Sequence, residues 1–399
     1  MSDPYFDIGG AGFFEDPYFL LARLRNDAPV FWSKRLNRWI ITRYADAAVI
    51  LHDSDLYSST VIPQIPVADM APELEDFVRF SKQWLFFLDP PAHGEQRKPI
   101  VQQFNPNAVY ALNAIIIQII NELCGQLMQI VRSEPENNLD LIEEYSHPIA
   151  AQVISGFLCN TEIELELFLS WCRDIESASL DATNKSARQR GFRAIIAATK
   201  YVRENLAEIP LARNILSNNR DCSREKLMSH CLVLLFAGVE TTQNLIGNLC
   251  LALLENPLQF ALLQREPSLC NSAVEEALRY NAPVIGVLRR VLADTLIRGQ
   301  RLRKGDEIVV MIGAANRDPR QFPFPDSFII ERNPKATLAF GLGRHYCLGA
   351  GLARLTAKLA IEQLLLTNLK LELGNSELAW RNHDPIVRGL KRLPVKLLG

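Results

Sequence analysis

Cys347 lies in the stretch AFGLGRHYCLGAGLAR, residues 339–354, between close-set glycines and an apolar-periodic run through Leu352, Leu355 and Leu359. A helix N-terminus favours thiolate over thiol, and a thiolate is a nucleophile or a metal ligand. Glycines 341 and 343 let the backbone turn tightly beside it. A dinucleotide loop does not fit: counted from Gly341, the third glycine position is Tyr346, whose side chain would obstruct helix-to-strand packing. Zinc needs about four ligands, and His345 with Cys347 offers two locally. A buried structural cysteine is the ordinary alternative. Against it, Gly349 and Gly351 each cost roughly 1 kcal/mol relative to alanine in a helix, which points to something flat lying against that face.

Four other constellations could do chemistry or support it. CLVLLFAGV, residues 231–239, is apolar all round and reads as a buried helix, interrupted by Glu240-Thr241-Thr242. A kink with Thr241 bonding back to the Ala237 carbonyl is the plain explanation, and an acid–alcohol pair for proton transfer is the functional one. Glu276 and Arg279 share a helical face at i and i+3; as a surface pair they would mean little. In DPPAHGEQR, His93 and Arg97 share a face at i and i+4, a cationic fork suited to a carboxylate. Arg289 in LRRVLAD lies on a strand pattern, so neighbouring Arg290 should point the opposite way.

The elements that must position these residues are mostly helical. Asp16-Pro17 opens a short helix to about Arg25, and VFW with RWIITRY alternates like a hairpin. From His93 to about Asn256 the spacing is helical, with breaks near Pro106, Pro135, Asn160 and Pro210. Short β-branched runs between Val284 and Met311 suggest strands, as does the tail LKRLPVKLLG. Between Ser58 and Leu88, Pro63, Pro66 and Pro72 break regular structure, while Ile62, Ile65, Phe77, Phe80, Trp84, Phe86 and Phe87 keep the stretch apolar. A long loop of that kind reads as a lid or pocket wall.

The expected fold is mainly α with small β-sheets: one domain over 1–399, α-rich at about 93–282 and 347–366, β-rich at about 28–43, 284–311 and 368–399. With 43 Lys and Arg against 45 Asp and Glu, charge gives no hint of nucleic acid or an anionic membrane. The eight cysteines form no CxxC pair and no secreted framework, so a reducing, cytoplasmic setting is expected. The N-terminus lacks a signal pattern, and no stretch reads as a membrane span of about 20 apolar residues.

Phe340-Gly341-Leu342-Gly343-Arg344-His345-Tyr346-Cys347-Leu348-Gly349 resembles the haem-binding loop of the haem-thiolate monooxygenases, the cytochromes P-450, F-G-x-G-x-H-x-C-L-G. AGVETT resembles that family's oxygen-activation segment, VEEALRYNAP its ExxR helix, and NRDPRQFPFPDSF the segment before its cysteine loop. These matches follow the family's order and cover the chain from about Asp16 to Gly399. The resemblance implies the cytochrome P-450 fold, with a long central helix over haem b and the cysteine loop beneath it.

By that resemblance Cys347 is the axial iron ligand, with Phe340 and Gly349 shaping the loop around the macrocycle. His93, Arg97, Arg289 and His345 would meet the haem propionates. Thr241 and Glu240 would relay protons to the bound oxygen, and Glu276 with Arg279 would support the loop. Ser327 stands where the family often has an arginine; Arg332 is the candidate substitute. Trp84, Leu234, Ala237, Gly238, Val284, Val287 and Val387, with Ile386, would wall an apolar pocket. The short, unanchored form implies the soluble bacterial type. Its electrons would come from a separate ferredoxin or flavodoxin with its NAD(P)H reductase, docking near Arg344 and Lys98. Oxidation of an apolar small molecule with O₂, in secondary metabolism, is the expected activity. A peroxide-driven peroxygenase and a haem-binding sensor or carrier are the rivals, both disfavoured by the acid–alcohol pair.

Overall fold

The computed structural model describes residues 7–61, 75–133, 138–180, 185–374, 376–382 and 384–398. Helices dominate, and their starts follow local chemistry. Asp16 caps the Pro17–Asp27 helix by accepting the Tyr18 N–H at 2.9 Å, and Ser223 caps Arg224–Ala237 through the Lys226 N–H. Proline stands at the first position of Pro210–Asn218 and Pro257–Arg265, where its missing N–H costs nothing.

The helices of residues 113–133, 147–155, 224–237, 239–255, 270–280 and 350–366 share one apolar core. Within it, Val239–Glu255 buries Leu245, Ile246, Leu249, Leu251 and Leu253 almost completely. At roughly 1.5–3 kcal/mol for each such side chain, burial outweighs the helix's internal polar residues and fixes it at the centre. It packs against Ala350–Leu366, which follows the cysteine loop.

One five-stranded sheet lies at the edge. Val30–Ser33 and Arg38–Ile41 form the expected hairpin, with Val30 opposite Ile41. Arg38–Ile41 then pairs parallel with Glu307–Val310, which pairs antiparallel with Val287–Val291, and Tyr57–Ser58 closes the other edge. A three-stranded sheet joins Lys370–Leu373, Pro394–Leu398 and Asn138–Asp140.

Several expectations need correction. Asn138–Asp140 is a strand inside the span read as helical, because the C-terminal strand recruits it from 253 or more residues away. The apolar stretch 58–88 is not wholly irregular: Glu75–Ser81 is a helix and Leu85–Phe87 a 3₁₀ turn. Ile62, Pro63, Ile65, Pro66 and Pro72 lie outside the described residues. Asn113–Ser133, at 21 residues and hydropathy 1.5, has the length and composition of a membrane span, although none was expected. Its stripe of Ile116, Ile120, Leu123 and Leu127 is buried against the core, while Glu122 and Gln118 hydrogen-bond on the outer face.

Candidate functional site

Cys347 sits three residues before the Ala350–Leu366 helix. Its N–H donates to the Phe340 carbonyl at 2.9 Å, closing the loop, and Gly341 and Gly343 turn the chain at φ +74° and +69°. A side chain at Gly343 would meet the His52 Cα and Leu51 carbonyl at 3.3 Å. Gly343→Ala is therefore expected to cost about 1–2 kcal/mol from the left-handed backbone alone, read as a fall in thermal midpoint.

Of the eight cysteines, Cys347 alone is exposed. It is nonetheless crowded by protein: burial raises its pKa, opposed by the Gly349 N–H, the guanidinium groups of Arg97 and Arg354 and the Ala350 N–H. An accessible thiol among desolvating neighbours is the mark of a recess. The helix-terminus argument therefore loses to desolvation in the free protein, and a bound metal cation would be what makes the thiolate.

A cationic cluster surrounds the loop. Arg97 Nη2 donates to the Tyr346 carbonyl at 2.9 Å, next to the thiol. The His93 and His345 rings lie 4.3 Å apart, and each has a buried Nε2 with no hydrogen-bond partner among the described residues. Burial, then Arg289 and His93, push His345 down to about 3. Arg289 is buried, with Nη1 on the Leu288 carbonyl, and burial lowers its pKa to about 10 despite the charge of Asp89. Arg290 points the other way and bonds Glu307 at 2.8 Å, as the strand alternation requires. Orphaned imidazole nitrogens and buried guanidinium groups with neutral partners fit an anionic group such as haem b with its two carboxylates. A Cβ at Gly349 would meet no described atom within 4 Å, so the loop leaves room for the macrocycle. Phe340 packs against the core with the Arg354 guanidinium 4.4 Å from its ring centre.

The apolar run over 231–239 is not one unbroken helix. It stops at Ala237 and resumes at Val239, with Gly238 between. Thr241 Oγ1 donates to the Ala237 carbonyl at 2.7 Å, so the plain kink geometry is present. Ala237 is exposed and Thr241 half-buried in an otherwise buried helix, so the kink faces an open space. A side chain at Gly238 would meet the Leu234 carbonyl at 2.7 Å and Ile154 Cδ1 at 2.6 Å, so the backbone here favours glycine. Glu240 turns elsewhere: its Oε1 accepts from Arg381 Nη1 at 2.8 Å.

Glu276 and Arg279 are fully buried and joined twice at 2.8 Å. Arg332 Nε completes the group at 3.1 Å from Glu276 Oε1, while Ser327 contributes only its carbonyl, to both arginines. The suspected substitution of Arg332 is thus what the structure has.

The expected wall residues are spread out. Trp84 packs on Phe236 and Phe77, and Leu234 is buried. Val284 bridges Val387, with Ile386 against Gly286; Val287 pairs with Val310 on the edge sheet. None of them lines the cavity of about 280 Å³ that the structure shows. That cavity lies on the other face of the central helix, between His147, Glu176, Gln243, Arg381 and Glu240. Of these, sequence reading reached Glu240 alone, because the partners come from segments far apart in the chain. Lys98 and, within the loop, Arg344 are exposed.

The sequence model of the family "Cytochrome P450" matches residues 192–384. The chain is 30% identical to the polyketide biosynthesis cytochrome P450 PksS of Bacillus subtilis over 100% of both chains. It is 31% identical to the 6-deoxyerythronolide B hydroxylase of Saccharopolyspora erythraea, covering 98% of this chain and 99% of that one. The crystal structure of P450BioI with hexadec-9Z-enoic acid ligated acyl carrier protein superposes with a TM-score of 0.85 at 30% identity, covering 97% of this chain and 100% of that one.

Proposed function

Because this chain belongs to the cytochrome P450 family, we propose that Cys347 holds the haem iron while Thr241 and Glu240 handle the protons of its monooxygenase reaction. The enzyme is an oxidoreductase that binds haem b, uses O₂ and receives electrons from a redox partner. When bound, the haem supplies O₂ binding and reductive cleavage, which consumes two electrons and two protons. The observation that carries the reading is the accessible Cys347 thiol beneath the Gly349 and Ala350 N–H groups and beside Arg97.

Each side chain then has a definite task. Cys347 Sγ donates electron density to the metal, tempered by those two N–H groups. Arg97 steadies the loop through the Tyr346 carbonyl, and His93, His345 and Arg289 take the propionates with groups that now have neutral partners or none. Thr241, donating to Ala237, keeps two lone pairs to accept from water at the kink. Glu240, whose pKa burial raises despite Arg381, carries protons at neutral pH better than an ordinary carboxyl.

The donor is a ferredoxin or flavodoxin docking over Lys98 and Arg344, and the enzyme works in the cytoplasm. The substrate is an apolar product of secondary metabolism. That PksS is named for polyketide biosynthesis and another relative as a 6-deoxyerythronolide B hydroxylase supports this class, and the P450BioI complex supports a carrier-bound form of it. Turnover with a ferredoxin system should give product, and peroxide alone should give little. Thr241→Ala is expected to lower product formed per NAD(P)H about tenfold and raise hydrogen peroxide release. Unchanged coupling would remove Thr241 from its role, and efficient peroxide-only turnover would make the protein a peroxygenase.

A further inference from the structure

Behind Glu240, a buried polar group has no part in the site described so far. His147 Nδ1 lies 2.7 Å from Glu176 Oε2 and 2.9 Å from Gln243 Oε1. Gln243 Nε2 donates to Glu176 Oε1 at 2.6 Å, and Arg381 bridges Glu176 at 2.6 Å and Glu240 at 2.8 Å. The members come from four separate elements: His147–Ser155, Glu162–Leu180, Val239–Glu255 and the residue following strand Ala379–Trp380. All of them line the cavity of about 280 Å³, together with Cys172 and Arg188.

Two nitrogens in this group are unsatisfied. His147 Nε2 and Arg381 Nε are buried with no partner among the described residues, although His147 is only 9% exposed and Arg381 3%. Orphaned nitrogens beside a cavity of this size, mostly apolar but edged by Glu176, Glu240 and Arg381, call for water at its polar end.

We propose that His147, Glu176, Gln243 and Arg381 form a proton store behind Glu240, in which one exchangeable proton resides on either His147 or Glu240 and is replenished through the cavity. The inference rests on Glu240 being the proton donor of the reaction. Charge balance is its physical basis. Arg381 and Glu176 are a fixed opposite pair. Imidazolium with ionised Glu240, or neutral imidazole with protonated Glu240, both leave the buried group electrically neutral. Moving the proton between them therefore leaves the group's net charge at zero, whereas adding or removing one does not.

Nδ1 faces two oxygens and keeps its hydrogen throughout, so the exchangeable proton on His147 sits at Nε2. In the transfer Nε2 loses its proton to cavity water, and a carboxylate oxygen of Glu240 gains one. Glu176, Gln243 and Arg381 are positioning residues. Burial would lower the pKa of His147, but Glu176 and Gln243 outweigh it and raise it, against Arg381. Burial would raise that of Glu176, but His147, Arg381 and Gln243 hold it down. For Glu240, burial, Glu176 and Asp384 raise it against Arg381. Both exchanging groups are thus shifted upward, His147 by its hydrogen-bond partners and Glu240 by burial.

Infrared spectroscopy of the holoenzyme across pH tests this, with the protonated-carboxyl band assigned by its loss in Glu240→Gln. His147→Gln removes a cation while keeping a side chain that can hydrogen-bond Glu176, and should move the Glu240 midpoint up by about one pH unit. Glu176→Gln removes an anion and should move it down by a similar amount. Each variant should also lower product per NAD(P)H, by less than Glu240→Gln does. Opposite shifts support the store, and a general loss of structure does not produce them. A band that stays put in both variants, or moves the same way in both, overturns it. If Glu240→Gln itself leaves coupling intact, the reading of Glu240 falls and the store with it. If Glu240→Gln uncouples while the band stays put, only the store falls.

Discussion

Cys347→Ser is expected to abolish the strongly red-shifted Soret band in the carbon monoxide difference spectrum of reduced protein, and with it nearly all turnover. The hydroxyl that replaces the thiol would give a bound haem iron far less electron density than a thiolate does. Changing a group that only supports a metal ligand costs roughly 10–100-fold in affinity or activity, so removing the ligand itself should exceed that range. Fold should survive. Serine fits a site where the thiol is exposed, and the Cys347 N–H bond to Phe340 belongs to the backbone. The comparison is thus wild type beside variant, both haem-supplemented, with thermal unfolding as the control. A retained red-shifted band in Cys347→Ser would mean that another residue ligates the iron and would overturn the assignment.

The thiol also shows where reading from sequence reaches and stops. The turn at Gly341 and Gly343, the loop and the following helix were legible because each depends on residues within about ten positions. The alternation of Arg289 inward and Arg290 outward was legible from a period of two. The acidity of Cys347 was not: the helix terminus argues for a lower pKa, and desolvation by surrounding segments reverses the sign. Ile154 Cδ1 packs where a side chain at Gly238 would stand, and an apolar run does not reveal such a neighbour. The same limit hid the group behind Glu240. Arg381 meets Glu240 across 141 residues and His147 meets Gln243 across 96, and nothing local marks either as a partner. Arg332 was within reach because it lies five residues from the position where an arginine was missed.

Arg279→Met is expected to cost about 3–5 kcal/mol, the largest stability loss of any single change considered, because it takes the bidentate partner from the fully buried Glu276 carboxylate and leaves it only Arg332 as a cation. A domain holds only about 5–15 kcal/mol in all, so much of the variant should fail to accumulate in folded form. Exposed pairs set the contrast: breaking Arg301–Asp294, with side chains 72% and 52% exposed, should leave the unfolding midpoint essentially unchanged. Arg279 also donates to the carbonyls of Asn316, Pro325 and Ser327, and Glu276 accepts from the Ile329 N–H. Asn316 Oδ1 in turn accepts from the Leu338 N–H at 2.7 Å, two residues before Phe340 opens the cysteine loop. The damage should therefore reach the loop. Whatever folded Arg279→Met is recovered should lose haem faster than wild type, whereas the Arg301–Asp294 control should not. Replacing both partners with apolar residues, Glu276→Leu with Arg279→Met, should restore part of the stability by removing the under-compensated buried carboxylate, less what Arg332 loses with its partner, yet leave haem retention poor, because the bonds to residues 316–329 stay broken. Denaturant unfolding and the rate of haem transfer to an acceptor protein measure the two effects. A single variant no less stable than the surface control, or a double variant that retains haem like wild type, would separate this pair from the loop it is argued to support.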